Sequence, residues 1–142
     1  MREILFRGKS LRNEWVYGGY VGICNGGKIA ELTVIHIIEE CDNALVKTET
    51  VGQFTGLTDK NGKKIFEGDI VKAIQTEYDE DKEREPFIVE VIGEMIFEDS
   101  CFGLRDKKCI DFYSPMWQED NVDLEVIGNI YDNPELLEKR NE

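Results

Sequence analysis

Imidazole, thiol and carboxylate side chains are where a chain could do chemistry, and this one carries one histidine, four cysteines and thirty acids in 142 residues. A lone imidazole excludes a histidine-rich metal site. His36 lies in the run Leu32–Ile38, L-T-V-I-H-I-I, in phase with Val34 and Ile38, which predicts a strand-core position. A general base needs a nucleophile or a substrate proton within hydrogen-bond reach, and no Ser or Cys nucleophile pattern accompanies it. Cys24, Cys41, Cys101 and Cys109 stand 17, 60 and 8 positions apart. Structural zinc draws on close pairs such as C-x-x-C, because ligands two or three residues apart can reach one small tetrahedral ion. None is present, so the thiols are expected to be reduced and buried in the core. Carboxylates pair at Glu67/Asp69 and Glu98/Asp99, yet thirty acids produce such pairs everywhere, and solvated turn carboxylates are expected. D-K-N-G at Asp59–Gly62 has the look of a calcium loop, but that loop needs glycine sixth and glutamate twelfth. Here Gly62 is fourth and Ile70 twelfth, so the segment is expected to be a hairpin turn. The run G-G-Y-V-G at Gly18–Gly22 lacks the lysine and following helix of a phosphate loop. No catalytic, cofactor-binding or metal-ligating residue is assigned.

Nucleic acid is the next partner to weigh. Trp15, Tyr17 and Tyr20 could stack on bases, and Arg2, Arg7, Lys9 and Arg12 give a basic start. A formal charge of −13 repels phosphate, so nucleic acid is disfavoured. The charge is uneven. Residues 1–64 hold nine basic and eight acidic side chains and nine of the thirteen glycines, whereas residues 65–142 hold eight basic and twenty-two acidic. A boundary near residue 50 follows, giving domains 1–50 and 51–142. No apolar run approaches the roughly 18 residues of a membrane span, and M-R-E-I-L-F-R-G-K lacks the apolar stretch of a signal peptide. The expectation is no membrane and a cytoplasmic location.

The elements that must position these residues are strands. Glu14–Gly22 reads as a strand with a bulge at Gly18–Gly19, C-N-G-G-K at Cys24–Lys28 as a tight turn, and Leu32–Ile38 as a strand buried on both faces. Asn61–Gly62 predicts a type I′ turn between Thr55–Thr58 and Lys63–Phe66. Glu67-Gly68-Asp69 re-aims the chain into the strand Ile70–Gln75. Thr76–Glu85, with eight charges in ten residues, reads as a solvated acidic loop. Phe87–Ile92 and Met95–Phe97 read as two strands about a Gly93–Glu94 turn, Cys101–Leu104 and Cys109–Phe112 as short strands about R-D-K-K, and Val122–Ile127 as the last. Asn133-Pro134-Glu135 predicts a short helix from about residue 134 with Asn133 as its cap. The class is mainly β, and the acidic half suits a small barrel or roll.

Three segments together resemble the YopX family of small phage and prophage proteins: F-R-G-K with E-W-V-Y-G at Phe6–Lys9 and Glu14–Gly18, T-V-G-Q-F-T-G-L-T-D-K-N-G-K-K-I-F-E-G-D-I-V-K at Thr50–Lys72, and V-I-G-N-I-Y-D-N-P-E-L-L at Val126–Leu137. The resemblance implies an N-terminal β subdomain packed with a C-terminal SH3-like barrel, and it implies self-association. It carries no catalytic or binding residue. The expected function is a non-enzymatic accessory protein that forms a homo-oligomer in the cytoplasm of a bacterial host and acts by contact with a host or phage protein. Two rivals stand beside it: an enzyme with a site of carboxylates and His36 formed between subunits, and a regulatory nucleic-acid binder using Arg2–Arg12.

Overall fold

Dense β-branched and aromatic residues, broken by Gly, Asn and Asp, build strands that need partners, and antiparallel pairing supplies them. The computed structural model describes residues 3–24, 31–37, 40–78, 80–81, 85–98, 101–105, 110–111 and 122–138. Among these residues the fold is mainly β with one short helix, as the sequence predicts. Outside the described residues lie Arg2, most of the Cys24–Lys28 turn, Asp99, Cys109, most of the R-D-K-K turn, Phe112 and part of the acidic loop. No described helix is long and apolar enough to cross a membrane.

The chain divides into two compact units, Met1–Gly56 and Leu57–Glu142. The division falls inside a strand, whereas charge alone places it near residue 50. In the first unit the strands are β1 (Phe6–Lys9), β2 (Trp15–Cys24), β3 (Leu32–Ile37), β4 (Asp42–Lys47) and β5 (Gly52–Thr58), which runs on across the division. Their order is β4-β3-β2-β1-β5. Alternation sets one face of β3, Thr33 and Ile35, opposite Val46 and Ala44 of β4, and Thr33, Ile35 and Val46 are fully buried. The bulge in β2 lies between Tyr20 and Gly22 rather than at Gly18–Gly19. Gly18 serves close approach instead, since a Cβ there would run into the carbonyl oxygen of His36. Ser10, just past β1, bridges to Val46 and so brings the end of β1 to β4. A 3₁₀ turn, Thr48–Thr50, closes the same corner: the Lys9 N–H donates to Thr50 Oγ1 at 2.8 Å, and that hydroxyl donates to the Lys47 carbonyl at 2.7 Å.

The second unit contains β6 (Lys64–Phe66), β7 (Asp69–Glu77), β8 (Phe87–Glu98), β9 (Cys101–Arg105), β10 (Ile110–Asp111), β11 (Val122–Asn129) and α1 (Glu135–Glu138). Its antiparallel sheet has the order β10-β9-β8-β7-β11. Val71, Ala73, Met95, Leu104 and Leu124 meet Ile65 in one buried cluster, with Leu57, Phe102, Val122 and Val126 packed around it. Each such side chain withdrawn from water contributes on the order of 1.5–3 kcal/mol. The expected break at Gly93–Glu94 is absent, because β8 runs straight through it. A Cβ on Gly93 would stand 3.0 Å from the backbone oxygen of Arg105, so this glycine lets β9 approach and does not turn the chain.

Candidate functional site

The residues singled out in the sequence go to separate places. His36 is half-buried on the face of β3 opposite Thr33 and Ile35, so its phase is not that of the core. Thr33 and Ile35 are fully buried on their face, whereas the other face carries buried Leu32 and then half-buried Val34 and His36. His36 Nδ1 lies 2.9 Å from Oδ1 of Asn43, its cross-strand neighbour. The described thiols are not core residues: Cys24 and Cys41 are exposed and Cys101 half-buried. Cys24 closes the end of β2, and Cys41, at φ 51°, stands in the turn before β4. Among the described residues, no group of three or more His, Cys, Asp or Glu is placed to hold one metal ion.

Two aspartates in the middle segment act differently from solvated turn carboxylates. Asp59 is buried, and its Oδ1 accepts the N–H groups of Asn61 and Lys63, both at 2.9 Å, while Oδ2 accepts that of Val126 in β11 at 3.0 Å. Burial pushes its carboxyl pKa up, but these three N–H donors, with the Lys63 charge, outweigh that and hold it below its ordinary value. The turn itself is Asp59–Gly62, closed by the Gly62 N–H on the Asp59 carbonyl at 2.9 Å. Asn61 keeps a negative φ and only Gly62, at +82°, is left-handed. A type I turn followed by a glycine bulge therefore replaces the expected type I′ turn. Asp69 is 1 % exposed, and its Oδ2 accepts the Phe66 N–H at 2.8 Å across the second turn. Lys60 N–H donates to the Leu124 carbonyl and Ile130 N–H to the Gly68 carbonyl, both at 2.9 Å, so both turns are tied to β11 and the residues after it.

After β11, the Asn129 side chain caps the next turn: Oδ1 accepts the N–H groups of Tyr131 at 3.0 Å and Asp132 at 2.9 Å. Asn133 Oδ1 points back to the Asn129 N–H at 3.4 Å instead of forward into α1, so its role is to close this turn. The middle and last sequence segments thus meet through backbone accepted by side chains. These carboxylates and amides hold the chain, and that engagement is what their types and spacing encode.

The first segment builds a face. The register Lys9↔Trp15 and Arg7↔Tyr17 sets two cations and two rings side by side. Arg7, at 4 % exposure, has its guanidinium carbon 4.4 Å from the Trp15 ring centroid, and Lys9 Nζ lies 5.4 Å away. A cation held over an indole is stabilised by the ring quadrupole, so Arg7 is an internal part of the sheet and not a presented phosphate ligand. Tyr20 lies against Phe6, centroids 5.5 Å apart. Beyond it β2 is open to solvent, with Tyr20, Val21 and Ile23 46, 58 and 55 % exposed. Burial of Arg7 and exposure of Val21 and Ile23 were beyond the reach of the sequence, since both depend on which strands flank β2.

Comparison with known proteins agrees with the three segments. The family model described as YopX protein matches residues 5–138 of this chain. Among solved structures, the chain is similar to the crystal structure of protein EF1440 from Enterococcus faecalis, at 24 % identity over 96 % of this chain and 99 % of that one, with a TM-score of 0.51. That likeness is one of fold. No curated protein matches the chain.

Proposed function

The chain belongs to the YopX family, and from that premise we propose that it is a non-enzymatic accessory protein of a phage or prophage, working in the host cytoplasm, that self-associates and acts by protein–protein contact. The observation that carries self-association is the apolar stretch of β2. Tyr20, Val21 and Ile23 crowd three exposed large side chains into four positions, and such clusters mark contact surfaces more than scattered single ones do. The unit that bears them has six basic and seven acidic residues, a net of −1, so charge does not oppose a second copy there. The non-enzymatic reading is supported by the use to which Asp59 and Asp69 are put, as acceptors for backbone N–H groups.

Light scattering and sedimentation test this. The mass should exceed the 16.4 kDa of one chain, and Val21→Glu with Ile23→Glu should lower it to that value with the far-UV spectrum unchanged. A wild-type protein that stays at one chain's mass at every concentration, or a double variant that assembles like the parent, would sink the proposal.

A further inference from the structure

We propose that Asn61–Gly62 is a deamidation site held closed by Asp59, so that the turn between β5 and β6 undergoes a spontaneous, irreversible modification when that hold releases. Asparagine followed by glycine is the pair most prone to this chemistry, because glycine puts no side chain in the way of its own backbone nitrogen. The chain has two such pairs, Asn25–Gly26 and Asn61–Gly62, and the first lies outside the described residues. Asn61 and Gly62 are exposed, and a Cβ on Gly62 would meet nothing within 4 Å. In the reaction the Gly62 nitrogen gives its proton to water and attacks Cγ of Asn61. The new N–Cγ bond replaces the bond from Cγ to the side-chain amide nitrogen, which leaves as ammonia, and a five-membered succinimide remains. Water then opens that ring at either carbonyl and gives aspartate or isoaspartate at position 61. Solvent supplies the only co-reactant, and no group is oxidised or reduced.

The hydrogen bonds of the folded turn oppose ring closure. The Gly62 N–H, whose nitrogen must attack, donates to the Asp59 carbonyl at 2.9 Å. Asn61 is fixed from both sides, since Asp59 Oδ1 accepts its N–H and that of Lys63, each at 2.9 Å. Asp59 is itself 6 % exposed and accepts the Val126 N–H through Oδ2 at 3.0 Å, which anchors the turn to β11. Forming the succinimide requires the peptide nitrogen of Gly62 to swing toward the Asn61 side chain, and the closed turn keeps it aimed back at Asp59. The rate in the folded protein is therefore that of the open turn multiplied by the fraction of time the turn is open. The modification also hinders reclosing. Isoaspartate adds a methylene to the main chain between the two N–H groups that a single oxygen accepts. Either product adds a negative charge beside the Asp59 carboxylate. The tie between this turn and β11 is thus weaker in an aged molecule than in a new one.

The test incubates the full-length protein at neutral pH, folded in buffer or unfolded in guanidinium chloride. Samples are cleaved at Glu49 and Glu67, and mass spectrometry of the peptide 50–67 reads the exchange of the Asn61 amide for a carboxyl, with isoaspartate separated by retention time. The folded protein should convert Asn61 at least about tenfold more slowly than the unfolded chain. Asp59→Ala, still folded by its far-UV spectrum, should convert it at least about fivefold faster than the parent. Should that variant not fold, Asp59→Asn keeps the shape with weaker acceptors and should raise the rate at least about threefold. Leu104→Val trims the core without touching the turn, and its rate should stay within about twofold of the parent's. Equal rates in the folded and unfolded parent, an unfolded chain that leaves Asn61 intact, or an unchanged rate in the folded Asp59 variant overturns the proposal. Equal acceleration by Leu104→Val overturns it too, since global unfolding would then be the route and Asp59 would hold nothing closed.

Discussion

The two units solve the problem of a strand-rich chain with different chemistry. Met1–Gly56 is close to neutral at −1, and beside its apolar core it uses hydroxyls and a buried cation: Thr33 and Thr48 oxygens 2.9 Å apart, Thr50 between Lys47 and Lys9, and Arg7 over Trp15. Leu57–Glu142 has eleven basic and twenty-three acidic residues, a net of −12, around a wholly apolar cluster. The contrast shows that acidity in the second unit has two separate uses. Asp59 and Asp69 are buried fixtures of turns, and their charge is consumed by backbone N–H groups. Most of the other carboxylates whose burial is described are exposed or half-buried; Glu125, Glu90 and Glu94 pair with Lys60, Lys72 and Arg105, and the excess of acid over base opposes compactness by self-repulsion.

The strongest way to break the comparison is to damage one unit and watch the other. Gly18→Val would drive side-chain atoms into the His36 carbonyl, at the seam of β2 and β3. We expect a loss of roughly 3 kcal/mol, as for overpacking without room to relax. Amide exchange should quicken in β2, β3 and β4 and stay slow in β7 and β8. Equal acceleration throughout would mean that the two units do not hold their stability separately.

Next in size is Asp59→Ala in the second unit. It leaves three N–H groups without their acceptor, but the turn is at the surface and water recovers part of the loss, so roughly 2 kcal/mol is expected in denaturant unfolding. The pH dependence has a definite sign. Because the folded carboxyl sits below its ordinary 3.8, its contribution is complete above that unfolded value and is lost as pH falls through the lower folded one. Stability of the parent should therefore drop faster below about pH 4 than that of Asp59→Asn. Parallel curves for the two proteins would show that Asp59 is not held as described.

Smaller still is the effect at the turn beside it. A Cβ at Gly62 meets nothing within 4 Å, so Gly62→Val costs only the strain of a β-branched residue at φ +82°, about 1–2 kcal/mol. Asn61→Ala should change the midpoint by less than about 0.5 kcal/mol, because Asn61 has a negative φ and contributes its backbone N–H to Asp59. A type I′ turn would make both substitutions costly, which separates the two assignments.

These residues also mark what the sequence could and could not convey. Strand type was legible from β-branched density, as in Leu32–Ile37 and Asp69–Glu77, and the charge contrast between the two halves was plain. Glycine was where the reading went astray. At Gly93 and Gly18 it permits close approach of a neighbouring backbone, and at Gly62 it completes a bulge; one letter carries all three meanings, and only the neighbour decides. The misplaced phase of His36 has a related cause. An unbroken apolar run lacks the alternation that would tell which of its faces is inside.

The smallest predicted effect sharpens the comparison most. Glu80→Gln with Asp81→Gln and Glu85→Gln removes three exposed charges from the more acidic unit. If those charges stabilised the fold, the midpoint would fall. Their physics points the other way: exposed like charges are screened within about 10 Å at 0.1 M salt, and what interaction survives is repulsive in a unit of −12. We therefore expect the melting midpoint to hold or rise, by the equivalent of about 0.5 kcal/mol at most and only at low salt. The mass should not change, because the apolar stretch Tyr20–Ile23 lies in the near-neutral unit. A clear fall in stability would place these carboxylates among the structural acids with Asp59 and Asp69. A change in mass would make the acidic loop an assembly element and transfer self-association to the second unit.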